Sequence, residues 1–481
     1  MTPAPATEAV GAVAGGRVTG EEVSLFCRHA WRGPEVGLAS GVLVTCAGGS
    51  ITEIRAGLAT SPAGAIRVGG EVCLPGFVNG HSHAFHRALR GVSETRSGDF
   101  WTWRELMYTV ASRLDPESYR ELASLVYAEM LLAGYTTVGE FHYLHHQNDG
   151  VPYSDANEMG SSLVEAASTA GIRLTLLDAC YLQAGVDGTP LSGVQLRFSD
   201  TSADRWSERV INLLSTHETG GAARFGAAIH SVRAVPRRAI EAIAALATSK
   251  EIPLHVHLSE QRRENEDCMK VLGLSPTELL SDCGALSART TAVHATHVGG
   301  SDLGRLGQEQ CGVCACPTTE RDLGDGVGPF SGLAGAGAVL SIGSDSHAVI
   351  DPFEETRAIE LNERLSKERR GISAVPVLLD AGTSGGSRAL GWPEGGLRVG
   401  AMADLVSISL DSARLAGPPP RAEPESLLER IVFAASPADV DTVVVGGRVV
   451  VEAGEHSTLG PSKALAARLG RAIAVALGAG R

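Results

Sequence analysis

The sequence predicts an α/β protein: a (β/α)8 TIM-like barrel joined to a small β-sandwich domain built from both chain ends. Three observations predict it. Eight short apolar runs of strand character recur between residues 74 and 385 with helix-like segments between them, and eight strands are what a closed (β/α)8 barrel needs. Gly-punctuated β patterns lie on either side of that region. His, Glu or Asp stands at the end of nearly every apolar run, which is where such a barrel presents its catalytic face.

Residues 1–17 have neither the basic start nor the continuous apolar core of a targeting segment, and are expected to form a disordered tail. Residues 18–73 carry "GVLVTCAGG", "SITEIRAG" and "AIRVGG", read as the N-terminal part of the β-sandwich domain. The barrel is expected over 74–385. Its first strand is read in "LPGFVNGHSH". The next seven are read in "TTVGEFHYL", "IRLTLLDACYL", "RFGAAIHSV", "IPLHVHLSE", "TAVHATHV", "CGVCACPTT" and "AVLSIGSDSH". Segments such as "DPESYRELASLVYAEMLLAG" and "VPRRAIEAIAALATSK" supply the intervening helices. Residues 386–460 return to β patterns in "GLRVGAMADLVSISL" and "VDTVVVGGRVVVEAGE" and complete the small domain, and 461–481 is expected to be a C-terminal helix.

Composition narrows the function. A formal net charge of −14 argues against nucleic acid and anionic membrane surfaces as partners, and makes individual arginines informative for any anionic substrate. No apolar run is long enough to span a bilayer. Nine scattered cysteines, an odd number, read as reduced thiols, and a cytoplasmic location is expected.

The histidines give the chemistry. His81 and His83 are two residues apart, and a strand places residues i and i+2 on one face, so both imidazoles can converge on one ion. His255 and His257 repeat the spacing, and Asp345 closes the last run. Three His and one Asp with a position left for water make a hydrolytic metal site. Spacing alone does not choose between His255 and His257.

These motifs resemble the amidohydrolase superfamily over roughly residues 18–456. The resemblance implies His81, His83, His257 and Asp345 as metal ligands. It also implies Glu260, in the His-x-x-Glu pattern of its deaminases, as proton shuttle to a leaving nitrogen, with His294 and Asp345 taking the proton from the activated water. Binuclear members bridge two ions with a carboxylated Lys at the end of a middle strand. Lys250 is the only lysine before residue 270 and precedes its strand, so one divalent metal ion per chain is expected. Zn²⁺ is the expected ion, although His and Asp ligands also suit Fe²⁺ or Mn²⁺.

Six further stretches, "HSHAFHRALRG", "FWTWRELMY", "EFHYLHH", "HSVRAVP", "CPTTERDLGDGVGPF" and "IGSDSHAVIDPFEETRAIELNERL", resemble in this order the formimidoylglutamate deiminase family. That resemblance implies hydrolysis of N-formimidoyl-L-glutamate to N-formyl-L-glutamate and ammonia in histidine degradation, and a small-molecule dicarboxylate substrate; the superfamily resemblance implies a homodimer. It implies Arg104, Tyr143, His230 and Arg233 as contacts to the glutamate portion, in keeping with the fit of guanidinium forks to carboxylates. The family often has Gln where this chain has His86, which is expected to donate to a substrate carboxylate instead. One alternative is a relative that deaminates or dechlorinates a heteroaromatic ring, against which two arginines argue. Another is an inactive homologue with a structural role, against which the complete ligand set, Glu260 and His294 argue.

Trp101 and Trp103 are expected to pack and His297 to be structural. "CGVCAC" is read as a buried strand, because no second Cys cluster completes a thiolate site around Cys311, Cys314 and Cys316. "SGLAGAGAVL" is read as a turn into the eighth strand, and "CPTTERDLGDG" as a loop over the site after the seventh.

Overall fold

The structure is a computed structural model that describes residues 22–92, 100–216, 221–393, 395–418 and 424–479. The tail expected at 1–17 lies outside the described residues. Five strands precede the barrel: β1 (Val23–Trp31), β2 (Leu38–Ala47), β3 (Ser50–Arg55), β4 (Ile66–Arg67) and β5 (Val72–Pro75). The barrel strands are β6 (Phe77–Ser82), β7 (Tyr135–His142), β8 (Arg173–Cys180), β9 (Ala223–Ser231), β10 (Leu254–Leu258), β11 (Thr290–His294), β12 (Gly312–Ala315) and β13 (Val339–Ile342). After it come β14 (Leu405–Ile408), β15 (Val440–Val445), β16 (Arg448–Glu452) and β17 (Glu455–His456).

All eight apolar runs form strands, and these lie side by side in chain order, each parallel to the next. Helices cover one face and packed side chains fill the other. Strands such as β10, Leu-His-Val-His-Leu, are therefore buried throughout and read as continuous runs rather than alternating ones. The sheet closes where β13 meets β6: Asp345 N–H donates to His81 O at 3.0 Å, and His83 N–H donates to Asp345 O at 3.2 Å. The helix Pro116–Ala133 begins at an Asp115 cap that accepts from Ser118 N–H at 2.9 Å, and ends at Gly134 with φ 104°. Leu122, Val126 and Met130 on one flank are buried against the barrel.

The small domain is one hydrogen-bonded nine-stranded sheet, mostly antiparallel, in the order β17-β16-β15-β14-β5-β1-β2-β3 with β4 paired to β1. β5 joins the chain ends: it runs parallel to β1 and antiparallel to β14, from Pro75↔Leu405 to Val72↔Ile408. Leu25, Val42, Val44, Cys73, Leu405 and Val444 share a core separate from that of the barrel. The helix Ser462–Leu477 follows the sheet. Among the described residues no helix is long and apolar enough to cross a membrane.

Two readings are corrected. The Gly-rich "SGLAGAGAVL" is not a simple turn: Phe330–Ala336 is a helix that buries Phe330 and Leu333, and Gly337 with φ 108° ends it before β13. In "CPTTERDLGDG" the first part is also helical, Pro317–Asp322, with Pro at the start where its fixed φ suits a helix and its missing N–H costs nothing. "CGVCAC" does form a buried strand, β12, and all nine cysteines are free and buried.

Candidate active site

The strand ends deliver the polar residues to one place. His81 points inward from β6 and His83 from just past its end, and their Nε2 atoms are 3.1 Å apart. His257 Nε2 at the end of β10 is 3.1 Å from His81 Nε2, and Asp345 Oδ1 is 3.3 Å from both His81 and His83. His255, the other half of "HVH", hydrogen-bonds the Ala389 carbonyl through Nε2 at 2.9 Å, so His257 is the member that joins the cluster.

This set fits a metal ion. A tetrahedral site with bonds of about 2.0–2.1 Å separates its ligands by about 3.3 Å. His83 Nδ1–H donates to Phe141 O at 2.9 Å and His257 Nδ1–H to His230 O at 2.8 Å, which leaves their Nε2 lone pairs facing the cluster. Lone pairs aimed into one small volume repel unless a cation stands between them. Burial holds His83 and His257 well below the usual histidine range, so both are neutral. Burial works to raise Asp345, but His81, His294 and His83 hold it well below the carboxylate range. Lys250 is exposed at the end of the helix Arg237–Lys250 that leads into β10, at the opposite end of the barrel from these residues.

His294 and Glu260 stand beside the cluster. His294 Nε2 is 3.8 Å from Glu260 Oε1 and 3.8 Å from Asp345 Oδ2. Its Nδ1 faces Glu320 Oε1 at 3.4 Å, and that same oxygen accepts from Cys316 N–H at 2.9 Å. Burial opposes charge on His294, yet Glu260, Glu320 and Asp345 together hold it well above the usual range. Burial pushes Glu260 up to about 7, against the pull of His294 and Arg233, which suits a carboxyl that must hold a proton at neutral pH.

One cavity opens above. His86, Arg104, Tyr143, His230 and Arg233 all line it, together with Glu260, His294 and Asp345. His86 Nε2 and Tyr143 Oη are 2.9 Å apart, and Arg104 lies over the Tyr108 ring at 5.5 Å. Arg233 stands 4.0 Å from Glu264, which also accepts from Ser259 N–H at 2.9 Å. Trp103 packs against the main core as expected, and because its helix runs along the cavity mouth it also forms part of the cavity wall, with its ring edge-on to His86. Trp101 lies where no side chain is described. His297 lies outside the cavity.

Sequence reasoning missed Glu320, Glu264 and the far wall of Tyr108, Tyr181 and Phe198. Gln195 Nε2 donates to both tyrosine hydroxyls of that wall at 3.2 Å. A second group, His142, His145 and Asp178, has metal-like spacing, but Asp178 and His145 already have hydrogen-bond partners, His142 Nε2 among them at 3.3 Å from His145 Nδ1. Asp178 accepts a bidentate fork from Arg209 at 2.6 and 2.8 Å and the Trp206 indole N–H at 2.9 Å, and His145 Nε2–H donates to Ala179 O. That group is a hydrogen-bond network.

The sequence pattern of the amidohydrolase family matches residues 72–450, which takes in every barrel strand and all the residues above. The chain belongs to the amidohydrolase family. This amidohydrolase is 40% identical over 421 residues to the formimidoylglutamate deiminase of Pseudomonas aeruginosa, covering 85% of this chain and 91% of that protein. It superposes on the crystal structure of an amidohydrolase from Brucella melitensis with TM-score 0.85 and 34% identity, over 95% of this chain and 99% of that one. An atrazine chlorohydrolase from Arthrobacter aurescens, solved with zinc, shares the amidohydrolase fold at TM-score 0.82 and 22% identity, over 94% of this chain and all of that one.

Proposed function

We propose that the protein hydrolyses N-formimidoyl-L-glutamate to N-formyl-L-glutamate and ammonia, a reaction of histidine degradation. One observation carries the reading: two arginines line the same cavity as residues of a three-His, one-Asp cluster, with Glu260 and His294 beside it. The 40% identity to a formimidoylglutamate deiminase supports it.

His81, His83, His257 and Asp345 would hold one divalent ion, Zn²⁺ in this reading as in the zinc-bound neighbour. Its chemistry there is to lower the pKa of a water to about 7 and so supply a nucleophile near neutral pH. Arg104 and Arg233, with Tyr143, His86 and His230, hold the two substrate carboxylates and so place the formimidoyl carbon over the cluster. The water oxygen adds to that carbon while His294 and Asp345 take its proton. Positive charge in the cluster draws His294 back toward its neutral form, and Glu320 keeps the proton on Nδ1 so that Nε2 faces the reaction. Glu260 passes two protons in turn to the terminal nitrogen, first the one taken from the water and then the one left on the added oxygen, so that C=NH becomes C–NH2 and then C–NH3⁺; the bond from carbon to that nitrogen breaks, and its electron pair leaves with ammonia. The carbon keeps the water oxygen as the formyl carbonyl. The working state in this reading is a cytoplasmic homodimer.

The test is ammonia release by the metal-analysed protein from N-formimidoyl-L-glutamate, beside N-formimidoyl-L-aspartate, guanine and an Arg233→Ala control. Release from the glutamate compound alone, lost in the control, is expected. No release from it by protein holding one ion per chain would sink the substrate and leave ring deamination as the next reading to test.

A further inference from the structure

Behind the metal ligands, on the side away from the cavity, buried polar side chains form one line of hydrogen bonds across the seam where β6 meets β13. Asn79 on β6 is tied twice to Ser344: its Oδ1 accepts from Ser344 N–H at 2.9 Å, and its Nδ2 donates to Ser344 Oγ at 2.6 Å. Ser344 Oγ is 2.9 Å from His347 Nδ1, and His347 Nε2 is 3.2 Å from Ser82 Oγ. Ser82 Oγ–H donates to Glu140 Oε2 at 2.7 Å, and Glu140 Oε1 accepts from Ala84 N–H at 2.7 Å. All of these residues have no exposed surface, so each donor needs its acceptor.

Only one direction satisfies the line. The backbone N–H of Ser344 fixes which end of the Asn79 amide is oxygen, so the amide NH₂ must donate to Ser344 Oγ. The Ser344 hydroxyl proton then goes to His347 Nδ1, which places the His347 proton on Nε2, directed at Ser82 Oγ. The Ser82 proton passes to Glu140. The reverse direction would load Ser344 Oγ with two donors and leave its own proton unmatched.

The line holds the ligands on both sides of the seam. Ser82 stands between His81 and His83, and Ser344 and His347 flank Asp345. Asp345 (φ 40°) and His347 (φ 59°) both adopt the left-handed backbone region, which is costly for residues other than glycine and persists only where surrounding bonds impose it. We propose that Glu140, Ser82 and His347 are positioning residues that clamp the His81–His83 turn to the Asp345 turn and thereby set the affinity of the metal site. The inference rests on the metal reading of the four-ligand cluster.

The test measures Zn²⁺ affinity of the full chain by competition with a chelator, and the visible absorption of the Co²⁺-substituted protein. Ser82→Ala removes the central link with little change in volume. Thr175→Ala, which deletes a buried hydroxyl bonded to Leu390 O on β8 away from the cluster, serves as control. Ser82→Ala is expected to raise the Zn²⁺ dissociation constant about 10–100-fold and to alter the Co²⁺ spectrum. Thr175→Ala should do neither, even at an equal loss in unfolding temperature of the metal-free protein. Glu140→Gln, which keeps one oxygen for Ala84 N–H, is measured alongside and read the same way should Ser82→Ala not fold. Unchanged affinity in these variants, or an equal loss in Thr175→Ala, overturns the inference. Wild-type protein that binds no divalent ion overturns the metal reading itself.

Discussion

Glu260 and Glu320 address the same imidazole from opposite sides, and the proposed reaction gives them different tasks. Glu260 faces the cavity with its pKa raised, so Glu260→Gln should lower kcat by about 10²–10⁴-fold with metal content unchanged, as steady-state kinetics beside metal analysis will show. Glu320 reaches the reaction only through His294. Glu320→Ala should therefore depress kcat with little change in KM, and Glu320→Gln should depress it less, because its amide oxygen can still accept from His294 Nδ1–H and Cys316 N–H. Equal kcat in wild type and Glu320→Ala would remove Glu320 from the mechanism. The histidine pair was legible from sequence because a two-residue period leaves little choice of face. Glu320 was not, because in "CPTTERDLGDG" it is one of several acidic residues, and only the turn of Pro317–Asp322 brings its carboxyl back to Cys316 and His294. The choice of His257 over His255 was equally hidden. Both lie on one face of β10, and what separates them is the Ala389 carbonyl that occupies His255 from a distant part of the chain.

At the scale of elements, the strand ends hold conformations that regular strands do not. Ser259 (φ 50°), His294 (φ 68°) and Ala295 (φ 50°) join Asp345 and His347 in the left-handed region, so three separate strands turn sharply just where they present site residues. Gly343 shows how tightly these turns are packed: a Cβ there would lie 2.8 Å from His81 Cβ and 2.9 Å from His81 O. Gly343→Ala should shift the β6 backbone, lower Zn²⁺ occupancy after dialysis and reduce activity in proportion. Full occupancy with normal activity would show that the seam can yield. The eight strands were legible because burial on both faces writes them as unbroken apolar runs. The helix Phe330–Ala336 was not, because its glycines are poor helix formers and burial of Phe330 and Leu333 decides its state.

For the whole molecule, stability depends on buried charge away from the site. Arg209 forks onto both Asp178 and Asp200, and His146 adds a hydrogen bond to Asp200 at 3.0 Å. Arg209→Leu leaves two carboxylates without their cation and should cost about 3–5 kcal/mol of unfolding free energy, measured by denaturant titration. Acid should act on the same region. Burial holds His142 and His145 well below the ordinary histidine value, so the unfolded chain takes up protons first, and the stability they contribute is present above about pH 6.5 and lost as pH falls below it. Burial tends to raise Asp200, but the bonds from His146 and Arg209 hold it well below the carboxylate range, so its contribution persists until about pH 4 and is lost below. The unfolding temperature should fall from pH 7 to pH 5 and again below about pH 4, and a flat profile between pH 7 and pH 5 would contradict the histidine part. The pairing of β5 with β14 has a consequence for biosynthesis. About 330 residues separate Pro75 from Leu405, so at about 5–20 residues per second β5 waits roughly 15–65 seconds on the ribosome for its second neighbour. Until then the nascent chain carries an open strand edge, and a message cut short before β14 would release a polypeptide prone to aggregate.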